Sequence, residues 1–133
     1  MIISARISSA AGQLHAAVQT DDAAKTLTLP AKPSGPGAGV NGGELLLLAL
    51  ATCFCNDLYR EAAQRGLTLN SVTVHCRGEF GAAGEPGQHF RYRAEVQAEG
   101  ASAAEIEALI RHTDQVAEVH NTLRRGVAVT LEG

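Results

Sequence analysis

The feature that most constrains this chain is the run Leu45-Leu46-Leu47-Leu48-Ala49-Leu50-Ala51. Helix signals bracket it. Asn41 precedes it with Glu44 three residues on, the spacing of a capping box, and Gly66 is a natural C-terminal stop. The segment reads as one helix from about Gly43 to Arg65, and about 22 residues at 1.5 Å rise give roughly 33 Å. Its first half is apolar all round, so it belongs inside a fold rather than on a surface. Its second half, Asn56 to Arg65, is amphipathic. One sheet covers only one side of such a helix. A two-fold copy is the commonest way to cover the other, which leads us to expect a homodimer; the plainer alternative is cover by the chain's own C-terminal helices.

The 133 residues fit one domain over 1–133. Ile3 to Ser8, Gln13 to Thr20 and Lys25 to Pro30 alternate with period two between turn residues, as strands do. Lys32 to Gly43 carries Pro33, Pro36 and several glycines, which exclude regular structure. After the long helix, Leu67 to Cys76 and Phe90 to Ala98 read as two strands joined by a Gly-rich hairpin loop. Ser102 and Glu105 form a second capping box, and a helical pattern continues to Arg125, with a kink. Val127, Val129 and Leu131 alternate as a last strand. The order β-β-β-α-β-β-α-α-β keeps helices and strands segregated, so the fold class is α+β.

Formal net charge is -3 and the pI is near 5.9, which offers nothing to attract nucleic acid or an anionic membrane. The N-terminus lacks a signal-peptide pattern, and the longest apolar run falls short of the roughly 20 residues a membrane span needs. A cytoplasmic protein is expected. The three cysteines are Cys53, Cys55 and Cys76, an odd count without disulfide-framework spacing.

Chemistry concentrates in Ala51 to Glu61. Cys53 and Asp57 are i and i+4, on one helix face. Cys53 and Cys55 point about 200° apart, a poor pair for a disulfide or a metal. No Cys-x-x-Cys or His-x-x-x-His spacing occurs, so a zinc site is not expected, and the expectation for this chain includes no metal or cofactor. Cys53 reads as a reactive thiol in a pocket or as a small apolar filler, the commoner fate of a buried cysteine. A thiolate needs a cation or hydrogen-bond donor beside it. Arg60, His120, Asn121 and Arg124 are the candidates, with Asp57 raising the thiol pKa unless an arginine pairs with it. His75 and Arg77 are expected to face solvent.

Gly35-Pro36-Gly37, Asn41, Glu44-Leu45-Leu46 and Leu50-Ala51-Thr52-Cys53-Phe54 together resemble the stretch around the reactive cysteine of the OsmC/Ohr family (osmotically inducible and organic-hydroperoxide-resistance proteins). Gln115-Val116 and Val127 to Leu131 resemble that family's last helix and strand, and the element order matches throughout. The resemblance implies an intertwined homodimer with two interface sites, and reduction of organic hydroperoxides in oxidative-stress defence. Cys53 falls on the peroxidatic position. Three positions depart from the pattern. Ala117 stands where the resolving cysteine would be. Gly43 stands where the helix-entry glutamate would be, with Glu44 one residue late. The N-terminal arginine position falls near Ala10 or Ala11, with Arg6 offset.

The expected activity is therefore that of a one-cysteine, thiol-dependent peroxidase, with Cys53 catalytic and resolved by an external thiol reductant. Asp57, Arg60, His120, Asn121 and Arg124 are the candidate supporting residues. The alternative is a non-catalytic dimeric binding module for a small hydrophobic or acidic ligand at the dimer interface.

Overall fold

The computed structural model describes residues 1–133, which divide into two compact units, Met1–Leu45 and Leu46–Gly133. The N-terminal unit is an antiparallel sheet of β1 (Ile3–Ala10), β2 (Gln13–Thr20) and β3 (Ala23–Leu27), in the order β1-β2-β3. Ala11 and Gly12 both take positive φ, as a two-residue turn matching strand twist requires. Asp21 closes the open end of the sheet, where its carboxylate accepts from the Ile2 N–H at 2.9 Å. Register pairs Ile7 with Ala16 and Ala16 with Leu27, so Ile3, Ile7, Ala16, Val18 and Leu27 share one face. Only Ala16 of that face is buried; Ile3, Ile7 and Leu27 are exposed. The following loop is pinned where the Gly39 N–H donates to the Pro30 carbonyl at 2.6 Å. A Cβ on Gly39 would lie 2.8 Å from the Ala31 carbonyl oxygen, so glycine is required there.

Helix α1 (Gly42–Gln64) starts at the expected capping box. Asn41 Oδ1 accepts from the Glu44 N–H at 2.7 Å, and Glu44 Oε1 accepts from the Asn41 N–H at 3.0 Å. The C-terminal unit adds the antiparallel pair β4 (Ser71–Glu79) and β5 (Gln88–Gln97), then α2 (Ala103–Val116) and α3 (Glu118–Arg125). Ser102 and Glu105 form the second capping box. The kink expected before Arg125 is a full break at Ala117, whose ψ of 110° is extended backbone. The architecture is α+β, as the residue pattern predicts.

The core forms because α1 turns Leu50, Phe54, Leu58 and Ala62 to one side, four residues apart. The last three pack with Leu109 and Ala117, and the inward residues of β4 and β5, Val72, Val74, Tyr92, Ala94 and Val96, close over them. At about 25 cal/mol per Å2 of apolar surface removed from water, burying a side chain such as Phe54 or Leu58 stabilises by roughly 1.5–3 kcal/mol.

Two expectations are not met within one chain. The apolar half of α1 is not enclosed all round, since Leu48 is 59% exposed. Val127 to Leu131 forms no strand, and Val129 and Leu131 are 98% and 97% exposed. A strand needs a neighbour to take its backbone hydrogen bonds, and within its own unit the segment does not join the β4-β5 sheet.

His120 enters this core from α3. Its ring lies 5.6 Å from Phe54 and 4.6 Å from Tyr92, centroid to centroid, and neither ring nitrogen has a partner. Burial, and then the nearby Arg124 charge, hold its pKa below the ordinary histidine value of 6.5. The unfolded chain therefore binds more protons than the folded one between the two pKa values, so stability from this group is complete above 6.5 and lost as pH falls. We expect the urea midpoint of the wild type to drop between pH 7 and pH 5 by more than that of His120→Leu. Equal slopes would remove His120 as the cause.

Candidate functional site

Burying Phe54 fixes where its neighbours point. Cys53, one residue and about 100° away, is half-buried at the edge of the core. Asp57, one turn on, lies on the same side, and Cys53 Sγ donates to Asp57 Oδ2 at 3.4 Å. The break at Ala117 brings in a residue that sequence reasoning missed. Glu118, the first residue of α3, places Oε2 3.9 Å from Cys53 Sγ. Arg60 backs the carboxylates, with Nη1 3.1 Å from Asp57 and 3.3 Å from Glu118, and Nε 2.9 Å from Glu61. Glu61 also meets His112 Nε2 at 2.7 Å.

The sulfur therefore faces carboxylates, with the cation one step behind. Burial pushes the Cys53 thiol above its ordinary value of 9.0, the Val119 backbone opposes this, and Asp57 and Glu118 add to it. Burial also raises Asp57, helped by the Glu118 charge and opposed by the Cys53 hydrogen bond and Arg60. Glu118 is lowered, first by its own backbone N–H at the start of α3 and then by Arg60. Glu61 is lowered by its bonds to Arg60 and His112. The resting site is a protonated thiol hydrogen-bonded to a buried carboxylate of elevated basicity.

The remaining candidate residues gather elsewhere. Arg124 donates to Asp114 Oδ1 at 2.7 Å and to Asn121 Oδ1 at 3.1 Å. Asn121 donates to the Gln115 carbonyl at 3.0 Å. Tyr92 donates to Asp114, and both burial and that bond push the Tyr92 phenol up. His120 is the core residue described above. Of the five supporting candidates, Asp57 reaches Cys53, Arg60 reaches its carboxylates, and His120, Asn121 and Arg124 belong to the group around Tyr92 and Asp114. Cys55 lines a separate hollow of about 260 Å3 with Ala51, Thr52, Asn56 and Val74, and all three thiols are free.

Cys53, Asp57 and Glu118 each offer one donor atom within 4.8 Å of the others, a three-ligand set that sequence spacing could not show. The Arg60 guanidinium already lies between the two carboxylates, where it supplies the charge an ion would otherwise bring.

A half-buried helical cysteine thus lies beside an acid pair on an α+β frame that carries one long helix. Residues 35–132 match the family model described as OsmC-like protein, and the chain belongs to the OsmC-like family. No curated protein matches it by sequence. Among solved structures it is similar to an OsmC-like protein from Mycoplasma pneumoniae, at 22% identity and TM-score 0.64, covering 95% of this chain and 87% of that one. An organic hydroperoxide resistance protein from Legionella pneumophila aligns at 21% identity and TM-score 0.60, covering 98% and 95%. The organic hydroperoxide resistance protein OhrB of Bacillus subtilis aligns at 14% identity and TM-score 0.57, covering 99% and 97%. At these identities the structural likeness speaks to the fold.

Because Asp57 raises the thiol pKa through both charge and hydrogen bond, Asp57→Asn should lower it. Alkylation of Cys53 by iodoacetamide near pH 8 should then quicken by roughly threefold to tenfold, the equivalent of half to one pKa unit. A slower or unchanged rate would show that Asp57 does not raise the thiol pKa.

Proposed function

We propose that this protein takes part in oxidative-stress defence by reducing organic hydroperoxides through Cys53, as a one-cysteine, thiol-dependent peroxidase. The observation that carries the reading is the Cys53–Asp57 contact of 3.4 Å, which pairs a nucleophile with a base of raised pKa. Asp57 takes the thiol proton as Sγ attacks the terminal oxygen of ROOH. The S–O bond forms and the O–O bond breaks. The RO⁻ leaving group takes a proton and departs as ROH, leaving a Cys53 sulfenic acid. An external thiol then attacks that sulfur and releases water, and a second thiol resolves the mixed disulfide. Asp57 is buried and Arg60 stays paired to it, so the transferred proton and the developing charge are both accommodated.

Turnover of cumene hydroperoxide with a dithiol reductant should vanish in Cys53→Ser. The reactive state is the resting pair of protonated thiol and Asp57 carboxylate, and because the thiol pKa is raised above 9.0 that pair stays populated from about pH 7 to 9, so the wild-type rate should be nearly flat over that window. A rate that climbs roughly tenfold per unit would mean attack by the free thiolate and would contradict the acid-base pairing. The carboxylates facing the sulfur favour one other reading, a binding module without turnover. That reading gains if the folded protein reduces no hydroperoxide at any pH yet binds a small hydrophobic or acidic ligand.

The working form is a cytoplasmic homodimer. No helix is long and apolar enough to cross a membrane. Leu48, the Ile3–Ile7–Leu27 face and the Val127–Leu131 segment are apolar surfaces left open in one chain, and a second copy offers the matching surfaces. Light scattering should give twice the chain mass of 13.8 kDa, and Leu48→Lys should shift the distribution toward monomer. A wild type that stays monomeric at high micromolar concentration would reject the dimer.

A further inference from the structure

The outward face of β4 and β5 carries a cluster that the Cys53 chemistry does not use. Register pairs His75 with Arg93 and Arg77 with Arg91. Directly opposed and alternate residues of an antiparallel pair share a face, so all four side chains project together, with opposed Cβ atoms about 4.5–5.5 Å apart. They line a hollow of about 490 Å3, together with Cys76 and Tyr92. Glu95 engages His75 at 3.5 Å and also Arg93, and Glu79 is taken by His89 at 2.8 Å. Arg77 and Arg91 form no ion pair.

Like charges directly opposed across a strand pair are destabilising, and nothing in the chain relieves this pair. The ladder confines them as well. Arg77 is the last regular partner before the register shift between Arg77 and Glu79, where Gly78 leaves room for the Phe90 ring and a Cβ would meet it at 2.5 Å. Bulges of this kind re-aim side chains and recur beside functional sites.

We propose that Arg77 and Arg91, flanked by Arg93 and His75, bind the phosphate group of a small phosphorylated molecule. Two guanidinium forks match the oxygens of one phosphate, and an anion there offsets the repulsion that the free chain carries. Nucleic acid is the wrong occupant because the chain as a whole carries net charge -3 and a strand of phosphates would be repelled outside this patch.

The test is titration of the full-length protein with glycerol 3-phosphate and, separately, with inorganic phosphate, followed by calorimetry and thermal shift. Saturable binding is expected, weakened roughly tenfold or more in Arg77→Gln and again in Arg91→Gln, since each loses a charge-assisted bond. Arg111→Gln, which breaks an exposed pair with Glu107, should bind as wild type does. Tighter binding of the ester than of inorganic phosphate would support a phosphorylated small molecule; equal or weaker binding would reduce the site to a bare anion site and overturn the stated ligand. Without ligand, Arg77→Gln should melt no lower than wild type, because a repulsion has been removed. No saturable binding, binding indifferent to both arginines, or a ligand-free variant that melts well below wild type would each overturn the proposal.

Discussion

The packing of Phe54, Leu58 and Ala62 beneath β4 and β5 determines the rest of the C-terminal unit. Once that stripe of α1 faces inward, helical geometry leaves Cys53 at the margin of the core, with Asp57 one turn away on the same side. The sheet register follows from the same contact, because Val72, Val74, Tyr92, Ala94 and Val96 must point at the helix and their neighbours must point to water. The thiol site and the arginine face are thus consequences of one buried seam, seen from its edge and from its back.

Electrostatically the two places are opposites. Around Cys53 three carboxylates, Asp57, Glu61 and Glu118, share Arg60, so negative charge exceeds positive beside a sulfur that would have to ionise to react. On the outer face of the sheet the excess is positive and unrelieved. A chain of modest net charge has thus segregated its charges, and segregation of this kind costs stability unless something outside the chain responds to it.

Much of this was legible in the residues. Asn41 and Glu44 announced the start of α1, Ser102 and Glu105 that of α2, and period-two alternation located β4 and β5, because caps and pleats are local physics. Cys53 and Asp57 followed from helical spacing alone. Glu118 did not, since it lies 65 positions from Cys53 and reaches it only because the chain breaks at Ala117, where nothing in the side chain signals extended backbone. His120, Asn121 and Arg124 looked like partners for the thiol because they are polar and close to an apolar helix. Which polar group meets which is decided by the turn at Ala117 and by Asp114, a residue without a motif. The Val127–Leu131 alternation is correctly a strand pattern, but strand patterns state a preference for a neighbour and do not supply one.

If Cys53 is oxidised as proposed, Glu118 beside the sulfur has a consequence beyond the first step. A sulfenic acid is neutral when protonated and sits comfortably against carboxylates as a hydrogen-bond donor. A sulfinic acid is ionised at neutral pH, and it would place a permanent anion within reach of Asp57 and Glu118. Those carboxylates oppose that second step through Coulomb repulsion. On the proposed chemistry, the arrangement that makes the thiol slow to ionise would thus also oppose irreversible overoxidation of its sulfur.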